Sequence, residues 1–234
     1  IRNSNQRKAV VADIILLLEI DTELDANPFL FAFLNKVYDL KASHFIEPPR
    51  PEDYISMTCG WLYDELYEED KQFGLMAILK TIFPDPLVLA RYLEAFSTGL
   101  YGEQVEKFFI CVGQGGNGKS LINGLMLMMV VDYGYKVASS LFVNEMKDGP
   151  NPGVANLHNK RFILAQEPDT GKKINASTMK ELTGDKTLNA RDLHSSDCKK
   201  RLLNSTLMET NILPDIEANE ATLRRIMVYP FGSS

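Results

Sequence analysis

The sequence predicts an α/β fold with a central parallel sheet, preceded by a small mixed and helical N-terminal region. From Lys107 onward, apolar strand-like runs alternate with helix-like segments, which is the pattern of a parallel sheet covered by helices. The strand-like runs cover residues 108–112, 161–165 and 202–209, and a helix-like segment covers residues 121–131. A glycine-rich octet joins the first of these strands to that helix. We therefore assign residues 99–234 to the α/β domain and residues 1–98 to the N-terminal region.

Periodic patterns define the N-terminal region. Apolar residues recur at helical spacing from residue 7 to residue 18, which predicts a helix. Two apolar arms within residues 29–40 flank Asn35 and Lys36, which predicts a hairpin with its turn at that pair. Residues 62–82 and 86–100 have apolar residues at helical period, which predicts two helices. We expect the aromatic residues here and the apolar stripe at residues 75–79 to form core rather than to contact a ligand.

Composition and charge exclude several classes of protein. The chain is 45% hydrophobic, which suffices for a core, and no apolar stretch reaches the roughly 18 residues of a membrane span. We expect no secretion signal and no membrane partner. The 3 cysteines have no CxxC spacing, which disfavours a disulfide framework or zinc site and favours a reducing compartment. A net charge of −6 argues against binding nucleic acid through bulk positive charge. Because the first residue is Ile1, we expect a fragment of a longer protein.

The glycine-rich octet satisfies the pattern G-x-x-x-x-G-K-[ST], with a strand before it and a helix after it. Its glycines let successive backbone N–H groups point at phosphate oxygens, and the helix N-terminus adds its dipole. Lys119 adds a positive charge, and Ser120 offers a hydroxyl to Mg²⁺. We therefore predict ATP and Mg²⁺ as cofactors, since the flanking elements disfavour a chance match. The predicted nucleotide-binding residues are Gly113, Gln114, Gly115, Gly116, Asn117, Gly118, Lys119 and Ser120. We expect the nearby Met126, Met128 and Met129 to be core residues.

ATP hydrolysis also needs a group that orients the attacking water. The apolar run at residues 161–165 ends in Gln166 and Glu167, as an acidic Walker B strand does. We predict that Glu167 polarises the water and contributes to the Mg²⁺ site. Many such strands end in two acids, whereas here Gln166 takes the first position, so Asp169 or a water is an alternative metal ligand. A surface acid after a core strand is the alternative interpretation of Glu167.

Two further elements complete a candidate hydrolytic site. The strand-like run at residues 202–210 leads to Asn211, whose amide could contact the γ-phosphate or the attacking water. Arg224 and Arg225 follow, and a guanidinium near a subunit boundary could act as an arginine finger on a neighbouring subunit. As isolated residues, such arginines are more often surface ion-pair partners.

The order of these motifs resembles that of superfamily 3 helicases: the strand with GxxGNGKS, the ILAQE strand, KELTGD, TN-x-x-P and RRI-x-V-x-x-F. Within that superfamily the chain resembles the primase-helicases of large DNA viruses, a group that includes the vaccinia-type enzyme and relatives in giant viruses and some phages. Residues 27–40, 51–55 and 147–169 contribute to this similarity, which extends over most of the chain. Relatives often have Asn-Gly where this chain has Asn35 and Lys36.

The resemblance implies an AAA+-like P-loop fold and a ring, usually a hexamer, with ATP sites between neighbouring subunits. It implies that Lys119 and Ser120 bind MgATP. The catalytic residues that it implies are Lys119, Glu167, Asn211 as the sensor and Arg225 as the arginine finger, with Arg224 as the alternative. Such proteins often carry a priming domain, which would lie upstream of this chain, and the resemblance also implies action at viral replication sites in the host cytoplasm.

A basic segment at residues 172–201 is the candidate DNA contact. It contains eight basic and four acidic residues, a net charge of +4 in an otherwise acidic chain. A ring that turned this segment inward would present positive charge to single-stranded or forked DNA. The resemblance places a pore hairpin here, with His194 near its tip and Lys199 and Lys200 as phosphate contacts. A solvated charged face is the alternative interpretation.

The sequence thus favours a ring-forming DNA helicase of viral replication, which couples ATP hydrolysis to translocation on single-stranded DNA. One alternative is a nucleotide-binding scaffold or DNA loader that does not unwind DNA. The other is a P-loop phosphotransferase acting on a small molecule, although the sequence has no separate acceptor signature.

Overall fold

A computed structural model of the 234-residue chain describes residues 23–64, 69–146, 151–166, 172–184, 187–190 and 198–232. The predicted helix at residues 7–18 lies outside the described residues.

A five-stranded parallel sheet forms the centre of the fold. Its strands are β4 (Phe108–Val112), β5 (Gly134–Val137), β6 (Phe162–Ala165), β10 (Ser205–Thr210) and β12 (Ile226–Pro230), in the order β12-β4-β10-β6-β5. The predicted α/β fold with a central parallel sheet is therefore confirmed. In open sheets of this kind, ligands bind beyond the carboxyl ends of the strands, where the strand order reverses. In this sheet the strand order reverses at β4 and β10, which are neighbours although β5 and β6 lie between them in sequence.

Helices cover both faces of the central sheet. On one face, side chains such as Phe109 and Leu207 pack with the helices α1 (Glu69–Ile82), α2 (Pro86–Ser97) and α3 (Lys119–Val130). On the other face, Ile110 and Met208 pack with the helices α4 (Ser140–Val143), α5 (Pro152–Ala155) and α6 (Ala176–Gly184). Because successive residues of a strand point to opposite faces, each buried strand contributes to both cores. The result is a layered α/β domain.

Short elements surround this sheet. Strand β7 (Lys173–Ile174) pairs with β11 (Asp215–Ile216), and β8 (Thr187–Ala190) forms an antiparallel pair with β9 (Cys198–Arg201). The short helix α7 (Glu220–Leu223) precedes β12, and 3-10 turns occupy Pro51–Asp53, Thr98–Leu100 and Val131–Tyr133. Among the described residues no single helix is long and apolar enough to cross a membrane. In the part of the chain that the structure describes, one pair of helices, Phe73–Ile82 and Pro86–Leu100, has that length and composition together, and it is bent by 114°.

The N-terminal region contains a three-stranded antiparallel sheet of β1 (Leu30–Ala32), β2 (Val37–Asp39) and β3 (His44–Ile46). Asn35 and Lys36 lie between β1 and β2, so the predicted hairpin is confirmed. Phe31 of this sheet belongs to the same buried cluster as Phe109 of the central sheet. Residues on both sides of position 98 therefore pack into one core, and the division at that position stays a prediction.

Some residues expected in the core are exposed. Met126 is buried in α3, but Met128 and Met129 are 60% and 51% exposed, so the core assignment of those two is wrong. In α3 the buried residues Ile122, Met126 and Val130 recur every four positions, so Met128 falls on the opposite side of the helix, whereas Met129 lies at the border of the buried stripe. In the stripe at residues 75–79, Leu79 is buried, whereas Leu75 and Ile78 are 43% and 47% exposed. Residues 62–64 are not helical, so the predicted start at residue 62 is wrong; the described part of helix α1 is Glu69–Ile82.

Candidate active site

A cavity of about 820 Å³ opens at the carboxyl edge of the central sheet. This volume is in the range of sites that bind small molecules and cofactors. The glycine-rich loop, the first turns of α3 and the ends of β6 and β10 surround it. Its lining residues are Gly115, Gly116, Asn117, Gly118, Lys119, Ser120, Leu121, Gly124, Leu127, Lys136, Leu164, Gln166, Glu209, Thr210 and Asn211.

The loop between β4 and α3 depends on two glycines with left-handed backbone. Gly116 and Gly118 have φ angles of 83° and 87°, a region that L side chains rarely adopt. A Cβ atom on Gly118 would lie 2.7 Å from the terminal Cδ1 of Ile82, which could shift, so it is the backbone conformation that favours glycine there. Gly118 is the N-cap residue of α3, a helix of 12 residues, so the loop ends at the positive pole of the helix dipole. This arrangement is a ready-made anion site.

Lys119 is 6% exposed, and loop oxygens surround its ammonium group. The Nζ atom donates to the carbonyl of Gly113, to the carbonyl of Gln114 at 3.0 Å and to Oδ1 of Asn117 at 3.1 Å. The Asn117 side chain is held in turn, because its Nδ2 donates to the Phe231 carbonyl at 2.6 Å. The loop therefore positions a buried positive charge at the floor of the cavity.

Asn211 meets Lys119 across the cavity. It follows the last residue of β10, and its Oδ1 lies 3.5 Å from Lys119 Nζ. Both residues line the same space, although 91 residues separate them in sequence. The structure thus brings together the predicted phosphate lysine and the predicted sensor.

Glu209 is a site residue that the sequence interpretation missed. Ser120 Oγ donates to its Oε2 at 2.9 Å, and Asn123 Nδ2 donates to its Oε1 at 2.9 Å. The hydroxyl of Tyr92 donates to Asn123 Oδ1 at 2.6 Å, which directs the Asn123 NH₂ group towards Glu209. Burial raises the pKa of Tyr92 far above its usual 10, so the phenol keeps the proton that it donates. The sequence did contain one sign of this role. Glu209 lies near the end of a central strand, two residues after Leu207, so both side chains point to the same face of the sheet.

The residue next to Glu209 on the neighbouring strand is Gln166. Strands β10 and β6 pair with Met208 opposite Ala165, so Glu209 and Gln166 occupy the next position of the register. Both line the cavity. The predicted catalytic acid Glu167 and the alternative ligand Asp169 lie outside the described residues. Their roles stay predictions.

Arg224 and Arg225 lie at the opposite edge of the sheet. The Arg225 carbonyl accepts from the backbone N–H of Phe108, the first residue of β4, whereas the loop follows the last residue of that strand. A strand of five residues spans about 16 Å, so neither arginine is near Lys119 in the same chain. The Arg225 side chain is 11% exposed, 3.3 Å from Glu106 and bonded to the Ala221 carbonyl at 3.1 Å. The Arg224 side chain is 62% exposed and 3.7 Å from Glu106.

The basic segment contains the predicted hairpin. In the β8–β9 pair, Asn189 is opposite Lys199 and Leu188 is opposite Lys200. His194 lies outside the described residues. Lys199 and Lys200 lie on β9, the strand that pairs with β8. Arg201, at the base of this hairpin, is engaged within the chain, because it donates to the carbonyls of Asp25 at 2.6 Å and Ala26 at 2.9 Å.

The donor set at Ser120 and Glu209 fits Mg²⁺ bound together with a nucleotide. In the described ranges no group of three or more His, Cys, Asp or Glu residues is arranged to hold a metal ion. Mg²⁺ at nucleotide sites typically needs only one or two protein oxygens, since phosphates and waters complete its shell. A hydroxyl and a carboxylate in hydrogen-bond contact at the cavity meet that need.

Comparison with known proteins identifies relatives of this chain. Residues 1–84 match the family described as D5 N terminal like. The chain is 32% identical over 90% of its length to the L207/L206 protein of Acanthamoeba polyphaga mimivirus, described as a candidate helicase. It is 29% identical over 91% of its length to Primase D5 of Fowlpox virus. It covers only 22% and 28% of these two proteins, respectively. The predicted resemblance to primase-helicases of large DNA viruses is thereby confirmed.

A solved structure shares the fold. The apo A form of the NrS-1 C-terminal region aligns with 96% of this chain and 52% of its own, with a TM-score of 0.60 and 14% identity. At this identity the similarity concerns the fold alone.

Proposed function

From its similarity to D5-type primases and helicases of large DNA viruses, we propose that this chain is the ATP-hydrolysing motor of a superfamily 3 DNA helicase acting in viral replication. The observation that carries this proposal is the convergence of Lys119 and Asn211 on one cavity beside a glycine-rich loop. A P-loop alone supports only nucleotide binding. A polar side chain at the end of the neighbouring strand, 3.5 Å from the lysine, supports hydrolysis.

In the proposed reaction, the loop N–H groups and the N-terminus of α3 bind the phosphates of ATP. Lys119 exchanges neutral carbonyl acceptors for phosphate oxygens, which form stronger, charge-assisted hydrogen bonds. Ser120 offers its hydroxyl to Mg²⁺, which neutralises phosphate charge when bound. Asn211 and Glu167 orient the attacking water.

We propose that a neighbouring copy of the chain completes the site in a ring, usually a hexamer. The two arginines lie at the far edge of the sheet, so an arginine finger has to come from another subunit. Arg224 is the better placed of the two, because its guanidinium is 62% exposed while that of Arg225 is 11% exposed. The family resemblance implied Arg225 as the finger, whereas the exposure of these side chains favours Arg224.

We assign the β8–β9 hairpin to contact with single-stranded or forked DNA in the ring pore. Lys199 and Lys200 lie on β9, and the hairpin belongs to a segment with a net charge of +4. We further propose that the chain acts together with a priming activity, which the similarity to Primase D5 supports, and that it does so at viral replication sites in the host cytoplasm.

The test compares ATP turnover, duplex unwinding and particle mass for the purified chain with and without single-stranded DNA. We expect DNA-stimulated turnover, strand separation and a mass several times that of the chain. Lys119→Ala should lower turnover by about 100-fold or more, as removal of a group that binds the reacting phosphate does. Lys80→Ala, at an exposed lysine of α1, is the matched control and should keep turnover within about twofold.

The outcomes separate the proposed function from its alternatives. Turnover without strand separation would favour a DNA loader. Transfer of the γ-phosphate to a small molecule instead of water would favour a phosphotransferase. Unchanged turnover in Lys119→Ala would rule out the assigned phosphate role.

A further inference from the structure

The carboxylate of Glu209 touches the one hydroxyl of the P-loop that is suited to Mg²⁺. Its Oε2 accepts from Ser120 Oγ at 2.9 Å, at the wall of the nucleotide cavity. We propose that Glu209 is a protein ligand of the Mg²⁺ that accompanies the nucleotide. This inference rests on the proposed nucleotide site and adds a residue to it.

The position of Glu209 in the sheet supports this role. Gln166 stands where many P-loop ATPases have the first acid of the Walker B strand, and its neutral amide is a weaker Mg²⁺ ligand than a carboxylate. Glu209 occupies the adjacent register position on β10, about 4.8 Å away across the sheet. Strand β10 lies between β6 and the P-loop strand β4. The carboxylate is therefore displaced by one strand, towards the loop, and remains within the same cavity.

The separation of the two oxygens matches an octahedral metal site. Mg²⁺ binds its ligands at about 2.1 Å with nearly right angles, so two neighbouring ligand oxygens lie about 2.9 Å apart. Ser120 Oγ and Glu209 Oε2 are 2.9 Å apart. Both atoms could thus coordinate one ion with little movement, after rotation of the serine hydroxyl proton away from the carboxylate.

The second oxygen of Glu209 is fixed from behind. Asn123, which is fully buried, donates to Oε1 at 2.9 Å, and Tyr92 determines the orientation of the Asn123 amide. Outer groups of this kind hold a ligand in place and tune its affinity for the metal. With Oε1 occupied, Oε2 is the oxygen directed at Ser120. Tyr92 and Asn123 are accordingly positioning residues for this carboxylate.

The test measures metal affinity directly. Mn²⁺ replaces Mg²⁺, and the loss of the free Mn²⁺ electron paramagnetic resonance signal reports binding to the chain saturated with ADP. Glu209→Gln keeps the shape of the side chain and removes its charge. We expect the apparent Kd for Mn²⁺ to rise by about 10-fold to 100-fold. Binding of fluorescent ADP in EDTA should stay within about twofold, because the loop and Lys119 are unchanged.

Two further variants sharpen the result. Glu47→Gln removes an exposed carboxylate of the N-terminal region, which pairs with Lys36, and should leave Mn²⁺ affinity at the wild-type value. Glu209→Asp keeps the charge on a shorter stem and should give an affinity between those of wild type and Glu209→Gln; it also serves if Glu209→Gln fails to fold.

The outcomes distinguish this inference from the proposed function. Wild-type Mn²⁺ affinity in folded Glu209→Gln or Glu209→Asp, with ADP bound, would overturn the Glu209 assignment alone. A wild-type chain that binds neither ADP nor ATP would overturn the proposed function and this inference together.

Discussion

The guanidinium of Arg161 lies over the ring of Tyr133, 4.2 Å from its centroid. Arg161 is 2% exposed and donates to the carbonyl of Leu30 at 2.7 Å and to that of Leu100 at 2.9 Å. Burial lowers its pKa to about 10, which leaves it charged at neutral pH. One buried side chain thus connects the N-terminal sheet, the segment after α2 and the strand β6.

Replacing Arg161 by Met should destabilise the whole chain. The substitution leaves two buried carbonyls without their donors and removes the cation–π contact, at a cost of about 3 kcal/mol. Thermal or urea unfolding measures the change. Arg91→Met is the control, since Arg91 is 62% exposed and pairs only at the surface with Glu94. We expect a change below about 1 kcal/mol there. Equal stabilities of the two variants would refute the connecting role of Arg161.

Tyr229 should make unfolding depend on alkaline pH. Burial raises its pKa from 10.0 to about 12, with smaller contributions from Cys111 and Glu94. Between pH 10 and 12 the folded chain keeps a proton that the unfolded chain loses, so the free energy of unfolding falls as pH rises. One such proton contributes about 1.4 kcal/mol per pH unit.

The check is urea unfolding of Tyr229→Phe over that pH range. Its stability should fall less steeply than that of wild type, while Tyr101→Phe, at a more exposed tyrosine, should keep the wild-type slope. Identical slopes for wild type and Tyr229→Phe would contradict this assignment.

The position of the arginines predicts complementation between subunits. Lys119→Ala disables the phosphate loop. Arg224→Ala removes the proposed arginine finger and should lower turnover by about 1,000-fold. Mixed in equal amounts, the two inactive variants should regain activity, because about a quarter of randomly formed interfaces combine an intact loop with an intact arginine. Failure of the mixture to regain activity, with rings still assembled, would exclude Arg224 as a finger acting between subunits.

Arg225→Ala serves as the comparison in that experiment. Its guanidinium is bonded to Ala221 and near Glu106 in its own chain, so we expect a loss of stability rather than a specific loss of turnover. A folded Arg225→Ala ring that loses turnover and is complemented by Lys119→Ala would instead assign the finger to Arg225.

The basic hairpin predicts salt-dependent binding of single-stranded DNA. Each phosphate contact contributes about 0.7 to the slope of log affinity against log salt. The double variant Lys199→Ala, Lys200→Ala should therefore lower that slope by about 1.4. Fluorescence anisotropy with labelled oligonucleotides measures it. Lys41→Ala combined with Lys80→Ala removes the same charge at exposed sites elsewhere and should leave the slope unchanged. A slope unaffected by the β9 substitutions would remove Lys199 and Lys200 from the interface.

The local sequence was sufficient to predict the elements whose determining residues lie within one short segment of the chain. The apolar runs before Gly113 and Gln166 became central strands, and the glycine spacing of the octet requires the backbone that Gly116 and Gly118 adopt. The turn at Asn35 and Lys36 was likewise predictable. In each case one short segment contains the whole signal.

Features that depend on distant contacts were not predictable in this way. Glu209 acquires its role from Ser120 and Asn123, which are 89 and 86 residues away in sequence, and only the pairing of β10 with β4 makes them neighbours. The exposure of Met128 similarly depends on which side of α3 meets the sheet. The sequence pattern alone left that choice open.

Arg201 connects the base of the β8–β9 hairpin to the carbonyls of Asp25 and Ala26, just before the N-terminal sheet. The same side chain also donates to Asn159, ahead of β6. These hydrogen bonds join the hairpin base directly to residues 25 and 26. A ligand that displaced the hairpin base would therefore act on the segment before the N-terminal sheet through polar contacts, independently of the hydrophobic core.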